Sequence, residues 1–291
     1  MRVLRPAEGV LAFYDGRVDG YRFAEGPNWI DDGAISLGIA SYAIVDGDEA
    51  LVYDTHVSLE HARCVRETLK AEGARELTVV LSHWHLDHVA GTEVFADCEV
   101  IANERTAELL AANRAAIEAG EYEGPPEIDP LVLPTRTFSG RDRVQVGGTA
   151  VELLEAEIHS DDATLLWVDD RRLLFCGDAM EDTVTYVTEP DALQTHIAEL
   201  DRIDELRPER ILPCHGDPEV IAAGGYSRGL IRATQQYLRA LERCREDPVL
   251  RATALPELIA GPLEAGWIHY YEPYETVHQE NLESVLRESP A

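Results

Sequence analysis

The chain is short of basic side chains, of paired cysteines and of long apolar runs, and each shortage removes a class of protein. Its 291 residues carry 25 lysines and arginines against 55 acidic residues, a net charge of −30. A surface of that sign repels phosphate backbones, so no nucleic-acid partner is expected. The five cysteines (Cys64, Cys98, Cys176, Cys214, Cys244) are odd in number, widely spaced and without a CxxC pair. That argues against a disulfide framework or a thiolate zinc knuckle, and makes a reducing cytoplasm the expected compartment. Cys176 and Cys214 are expected to be small apolar packing residues. No run of about 18 apolar residues occurs, so no membrane span is expected. The N-terminal MRVLRPAEGVLAFYDG has neither the apolar stretch nor the cleavage pattern of a signal peptide. There is also no GxSxG elbow and no cysteine-centred motif to supply a protein nucleophile.

What is present is the composition of a globular protein, 45% apolar and 27% charged. The length suits one large domain, or a core domain with an added lobe. Segments 34–46 and 50–54 read as strands meeting at Gly47-Asp48. Ser58 can cap a helix that runs to about Glu72 and is closed by Gly73, with Ala62, Val65 and Leu69 on one face. LTVVLS (77–82) is a continuous apolar strand of the kind buried on both faces. A short helix is expected near Asp87, a strand at 99–102 and a helix at about 104–119, then a proline-rich loop over 121–130. The second half repeats the order: strands at 144–147, 150–156, 163–168 and 172–176, a helix at about 191–206, and the strand RILP at 210–213. This predicts an α/β fold of two packed sheets with helices outside. From Gly224 onward helices dominate, at 226–246 and 275–288, separated by the aromatic WIHYYEPY. The expected division is a metal-binding domain over 1–223 and a helical lobe over 224–291 that covers or flanks the site.

The sharpest signal is HWHLDH at 83–88, directly after the buried strand. A strand end is a rigid platform for functional groups. Imidazole and carboxylate are the usual ligands of zinc, iron and manganese. His83 and His85, two apart in an extended loop, can point to one side, and Asp87 and His88 can serve a second ion. Gly91 would let the following turn pack close.

Over roughly residues 30–220 the chain resembles the metallo-β-lactamase superfamily of αββα hydrolases, whose HxHxDH motif supplies ligands to two metals. The family's other motifs have matches in order: Asp54 closing ALVYD, His159 in EIHSDD, Asp178 in LFCGDA and His215 in LPCHGD. Ile158 departs from the glycine usual before the third-motif histidine. The resemblance implies a four-layer αββα sandwich of two mixed sheets. It implies that His83, His85 and His159 bind one metal, that Asp87, His88 and His215 bind another, and that Asp178 bridges them. Asp54 would orient the metal loop without binding metal. Asp161 or Asp162 is expected either to orient His159 or to be a solvated turn residue.

The implied cofactors are two divalent ions, zinc first, with iron or manganese as alternatives. Such a pair generates a bridging hydroxide able to attack a carboxylic thioester, ester or lactone, with Asp87 and Asp178 tuning its acidity. Tyr186 is a candidate oxyanion donor and substrate contact; otherwise it is an amphipathic loop tyrosine. Trp84 is expected beneath the motif or at its mouth. His269 and Tyr270, with Tyr271 and Tyr274, are candidates for a lid or acyl pocket, or for packing between lobes or between the subunits of a homodimer. The stretch 159–179 with its helical tail is similar to thioesterase-like members that act in quorum signalling. Without a secretion signal, an antibiotic-degrading lactamase is less expected. The alternatives are iron-dependent sulfur dioxygenase chemistry on the same scaffold, or a metal-retaining binding or regulatory protein. His85 argues against the flavo-diiron branch, which has glutamate there. Trimming the tail after Gly224 is expected to alter substrate range or solubility more than metal affinity.

Overall fold

The computed structural model describes residues 1–287. The chain opens with a hairpin, β1 (Arg2–Ala7) and β2 (Val10–Asp15), that pattern reading missed. β1 alternates exposed and buried residues and carries Pro6, which an edge strand tolerates because its N–H side is unpaired. β3 (Ile39–Asp46) and β4 (Glu49–Tyr53) follow, with Gly47 at φ +67° in their turn. The strand expected from residue 34 begins only at Ile39: Ile30–Ile35 form a wide helical turn instead. Ile30, Ala34 and Ile35 bury themselves with Ile39 and Val57 in a small separate cluster, which a helical turn achieves as well as a strand does.

β5 (Glu76–Val80), α2 (Leu86–Val89), β6 (Glu99–Asn103) and α3 (Glu104–Glu118) follow α1 (Leu59–Ala71), whose first turn is capped by Ser58 accepting from the His61 N–H. β7 (Arg136–Phe138) is short and was also missed. The seven strands form one sheet in sequence order, antiparallel from β1 to β4 and parallel from β4 to β7.

The second sheet holds β8 (Arg141–Val146), β9 (Thr149–Ile158), β10 (Ser160–Val168), β11 (Leu173–Gly177) and β12 (Arg210–Pro213), with only β11 and β12 parallel. Strand side chains alternate between faces, and the two faces of the first sheet have separate partners. Tyr42, Leu51 and Tyr53 point inward to Leu153, Leu165 and Phe175 of the second sheet. Ala43, Ala50 and Val52 point outward to Ala62, Val65 and Leu69 of α1. α4 (Leu193–Glu205) covers β9 from the far side, completing a four-layer αββα sandwich.

After α5 (Pro218–Ala222), α6 (Gly229–Cys244) packs on α4, and three short helices (α7, Pro248–Arg251; α8, Leu255–Leu258; α9, Ala260–Glu264) lead to α10 (Tyr274–Leu286). Position 288 of the expected last helix lies outside the described residues. The core is continuous across Gly224: Tyr226 bridges Ile211 of β12, and Leu230, Tyr237 and Leu282 share one buried cluster with the sandwich. Among the described residues, no helix is long and apolar enough to cross a membrane.

Candidate metal centre

Five strand ends of the sandwich deliver the candidate residues to one edge. Asp54 follows β4, the 83–88 loop follows β5, His159 sits in the β9–β10 turn, Asp178 follows β11, and His215 lies just past β12. Tyr53 and Tyr42 tie the sheets together beside it, donating to the carbonyls of Thr164 and Pro213, each at 2.5 Å. Asp54 and His159 hold φ of +68° and +70°, a left-handed conformation unusual for non-glycine residues and concentrated at functional sites. Gly91 permits the close approach anticipated for it: a Cβ there would stand 2.1 Å from the Thr55 carbonyl oxygen.

The seven candidate ligands converge in two groups. In the first, His85 Nδ1 lies 2.9 Å from His83 Nε2 and 3.0 Å from His159 Nε2. In the second, His88 Nε2 is 3.1 Å from Asp178 Oδ2 and 3.4 Å from Asp87 Oδ1, while His215 Nε2 is 3.2 Å from Asp87 Oδ2 and 3.4 Å from Asp178 Oδ2. Asp178 Oδ2 also reaches toward the first group, 3.7 Å from His83 and 4.0 Å from His159.

The outward ring nitrogens determine what the inward ones can do. His159 Nδ1 donates to the Tyr186 carbonyl and His215 Nδ1 to the Gly38 carbonyl, both at 2.9 Å. A carbonyl only accepts, so the proton sits on Nδ1 and, in the neutral ring, Nε2 presents a lone pair. His88 Nδ1 donates to Asp54 Oδ2 at 2.8 Å, with the same consequence. Ser82 Oγ lies 2.9 Å from His83 Nδ1. Lone pairs from rings and carboxylates thus face each other at short range, and Asp178 Oδ1 is buried with no hydrogen-bond partner. Tetrahedral bonds of about 2.0–2.1 Å place neighbouring ligand atoms about 3.3 Å apart. The donor set and its spacing fit divalent cations.

The electrostatics agree. Burial, reinforced by neighbouring rings, holds His83 well below the ordinary imidazole range and His85 down to about 3, and burial lowers His159 despite Asp178. His88 and His215 go the other way: burial opposes their charge, but Asp178 and its neighbouring carboxylates outweigh it. Asp178 and Asp87, though buried, are held low by His88 and His215, Asp87 at about 2. Without a cation, the carboxylates stay ionised by keeping two rings protonated.

A cleft of about 1490 Å³ opens above the groups, walled by Trp84, Tyr122, Tyr186 and Tyr271. Trp84 and Tyr122 meet in this wall, with ring centroids 5.0 Å apart and planes tilted by 48°. Three sequence candidates, His269, Tyr270 and Tyr274, do not line it; Tyr274 is buried with its hydroxyl on Glu181. His269 turns to Asp182, its Nδ1 3.1 Å from Oδ2, and Tyr270 is 43% exposed with its hydroxyl on Glu275. The aromatic stretch contributes Tyr271 instead, because Asp182 captures the preceding backbone at His269 N. His159 is oriented by the Tyr186 carbonyl; Asp161 pairs with Arg105 and Asp162 binds Ser160 and Thr106. Missed from sequence were Glu181, whose carboxyl is raised to about 7 by burial and by Asp178, and Asn281. An acid three residues past Asp178 was a weak signal for Glu181; nothing local marks Asn281.

An αββα sandwich with His/Asp groups able to hold metal, set at one end of its strands, defines a class of metal-dependent proteins. The chain belongs to the metallo-beta-lactamase superfamily, whose sequence pattern matches residues 36–215. It is 24% identical over 214 residues to a beta-lactamase-like protein 2 homolog of Caenorhabditis elegans, spanning 72% of this chain and 67% of that one. It is 23% identical over 256 residues to the atrochrysone carboxyl ACP thioesterase dmxR1 of a Cryptosporiopsis species, spanning 86% of this chain and 70% of the relative. In fold it is similar to a metallo-beta-lactamase from Pontibacter korlensis, with TM-score 0.62 at 17% identity over 82% of this chain and 98% of the other.

Proposed function

We propose that the chain is a hydrolase that uses two divalent ions, zinc foremost, to cleave a carboxylic thioester, ester or lactone of a small molecule. The observation that carries this is the sharing of Asp178: one carboxylate oxygen faces both ligand groups, and the other is buried without a partner. His83, His85 and His159 would hold one ion, Asp87, His88 and His215 the other, with Asp178 between. Bound ions of this kind bring the pKa of water to about 7 and polarise a carbonyl. The chain supplies the rest. Asp54, Gly38 and Tyr186 fix the protons of three histidines on their outward nitrogens. Asp87 and Asp178 offset charge. The aromatic wall takes an apolar acyl or aryl group and limits water, and the Tyr186 side chain, half-buried with its ring 6.2 Å from that of His159, is placed to contact the substrate.

Thioester cleavage is supported by the thioesterase name of the fungal relative. A small uncharged carrier is favoured over nucleic acid or a polyphosphate carrier: of the four arginines lining the cleft among the described residues, Arg17, Arg22 and Arg105 are committed to the Asp182 and Leu37 carbonyls, to Asp32 and to Asp161, which leaves Arg287 alone to meet several negative charges. The test is a substrate panel on zinc-loaded protein, comparing one acyl group on a short neutral thiol, on coenzyme A, in an oxygen ester and in a lactone. Turnover of the short thioester at least as efficient as that of the coenzyme A thioester is expected. Oxygen uptake with a thiol substrate, and no hydrolysis of any panel member, would favour the dioxygenase alternative.

A further inference from the structure

The loop after Asp178 is gripped by the C-terminal helix at Thr185 and Val187 directly, and at Tyr186 between them through Glu181. Asn281 of α10 is fully buried, and every polar atom of its amide is used. Its Oδ1 accepts from the Val187 N–H at 2.8 Å; its Nδ2 donates to the Thr185 carbonyl at 2.9 Å and to the Tyr237 hydroxyl at 3.0 Å. Between them, the Tyr186 N–H donates to Glu181 Oε1 at 2.8 Å, and Glu181 Oε2 accepts from the hydroxyl of Tyr274, also on α10, at 3.0 Å. The carbonyl of Tyr186, the residue so held on both sides, is the acceptor that fixes the His159 proton. The Tyr186 carbonyl lies in one peptide plane with the Val187 N–H, and the plane before it holds the Thr185 carbonyl, so Asn281 clamps both planes that flank Tyr186.

We propose that Asn281 is a positioning residue for the metal centre: through the 185–187 backbone it aims the Tyr186 carbonyl at His159 and so sets the affinity of the three-histidine site. This rests on the metal-centre reading above. The rings of the second group carry no such link, His88 being oriented by Asp54 and His215 by Gly38, and Thr185 Oγ1 reaches Asp178 only at its backbone carbonyl, 2.8 Å away, not at its carboxylate. The grip therefore acts on one site of the two. Contrary to the expectation from sequence, loss of the tail then weakens metal binding and does more than alter substrate range.

The test is stepwise zinc binding to metal-free full-length protein, by competition with a chromophoric chelator, with cobalt spectra to identify the occupied site. Wild type should bind two ions. Asn281→Leu, which keeps the bulk and removes the amide, should weaken one step about tenfold or more, the range for losing the partner of a metal-bound histidine, and leave the other unchanged. Val285→Ala truncates a buried apolar contact of α10 but removes no hydrogen bond, and should bind as wild type. Tyr274→Phe tests the Glu181 end of the grip should Asn281→Leu not fold, and should weaken the same step. Two wild-type steps in Asn281→Leu, equal weakening of both steps, or equal loss in Val285→Ala would overturn the proposal while leaving the metal centre intact. A wild-type protein that binds no ion would instead overturn the metal-centre reading.

Discussion

Replacing Asp54 by asparagine changes one atom type in a buried carboxyl, and the surroundings dictate which way the new amide must face. Asp54 Oδ1 accepts from the Ser82 N–H at 2.6 Å, so only an oxygen can stay there. The NH2 is thereby forced to the Oδ2 position, 2.8 Å from His88 Nδ1. A donor now faces a nitrogen that was itself a donor. In the neutral ring the proton must move to Nε2, where it points at Asp178 Oδ2, 3.1 Å away, and occupies the lone pair a metal would use. Loss of such a partner to a metal-bound histidine costs about 10–100-fold in affinity, or about 1.4–2.7 kcal/mol, and a reversed tautomer belongs at the upper end. Stepwise zinc titration of Asp54→Asn should show the step assigned to Asp87, His88 and His215 weakened by about 100-fold, with the three-histidine step little changed. Two wild-type affinities in this variant would refute the tautomer argument.

Gly91→Ala should cost about 3 kcal/mol in urea unfolding, the upper range for overpacking, because the new methyl meets the Thr55 carbonyl oxygen at 2.1 Å and Ala62 Cβ at 2.4 Å. Unchanged stability would mean that the 55–62 segment yields. Zinc loading should release protons. His88 and His215 have raised pKa values and are protonated in metal-free protein near neutral pH, whereas ligation needs their lone pairs. Affinity should therefore fall as pH falls, and calorimetry in buffers of different ionisation heat should register protons leaving; loading without proton release would contradict the charge pattern described.

Much of this protein is legible in its sequence because its signals are local. HWHLDH after LTVVLS announces both a buried strand and a cluster of ligand-type side chains, and Ser58, Gly73 and Gly120 punctuate helices through their own backbone chemistry. RILP is a strand at Arg210–Pro213 because β11 lies parallel beside it, and its pattern sufficed to find it. The failures have a common physical origin. Ile30–Ile35 (IDDGAI) and β1–β2 mix charged and apolar residues without a clear period, and their state is chosen by tertiary partners. His269 and Tyr270 look like pocket residues until Asp182, far away in sequence, turns the segment so that Tyr271 faces the cleft. Asn281 sits in an unremarkable helix, and only the folded chain brings it to residues 185–187. Pattern reading finds ligands more readily than the groups that aim them.

The most direct measurement is the metal content of purified, zinc-reconstituted protein and of its Asp178→Ala variant, determined by elemental analysis alongside hydrolysis of a thioester. Two ions per chain in wild type, with loss of metal and turnover in Asp178→Ala, is the result a shared carboxylate between two cation sites predicts. A wild-type chain that holds no ion, or an Asp178→Ala variant that keeps both ions and its activity, would contradict it.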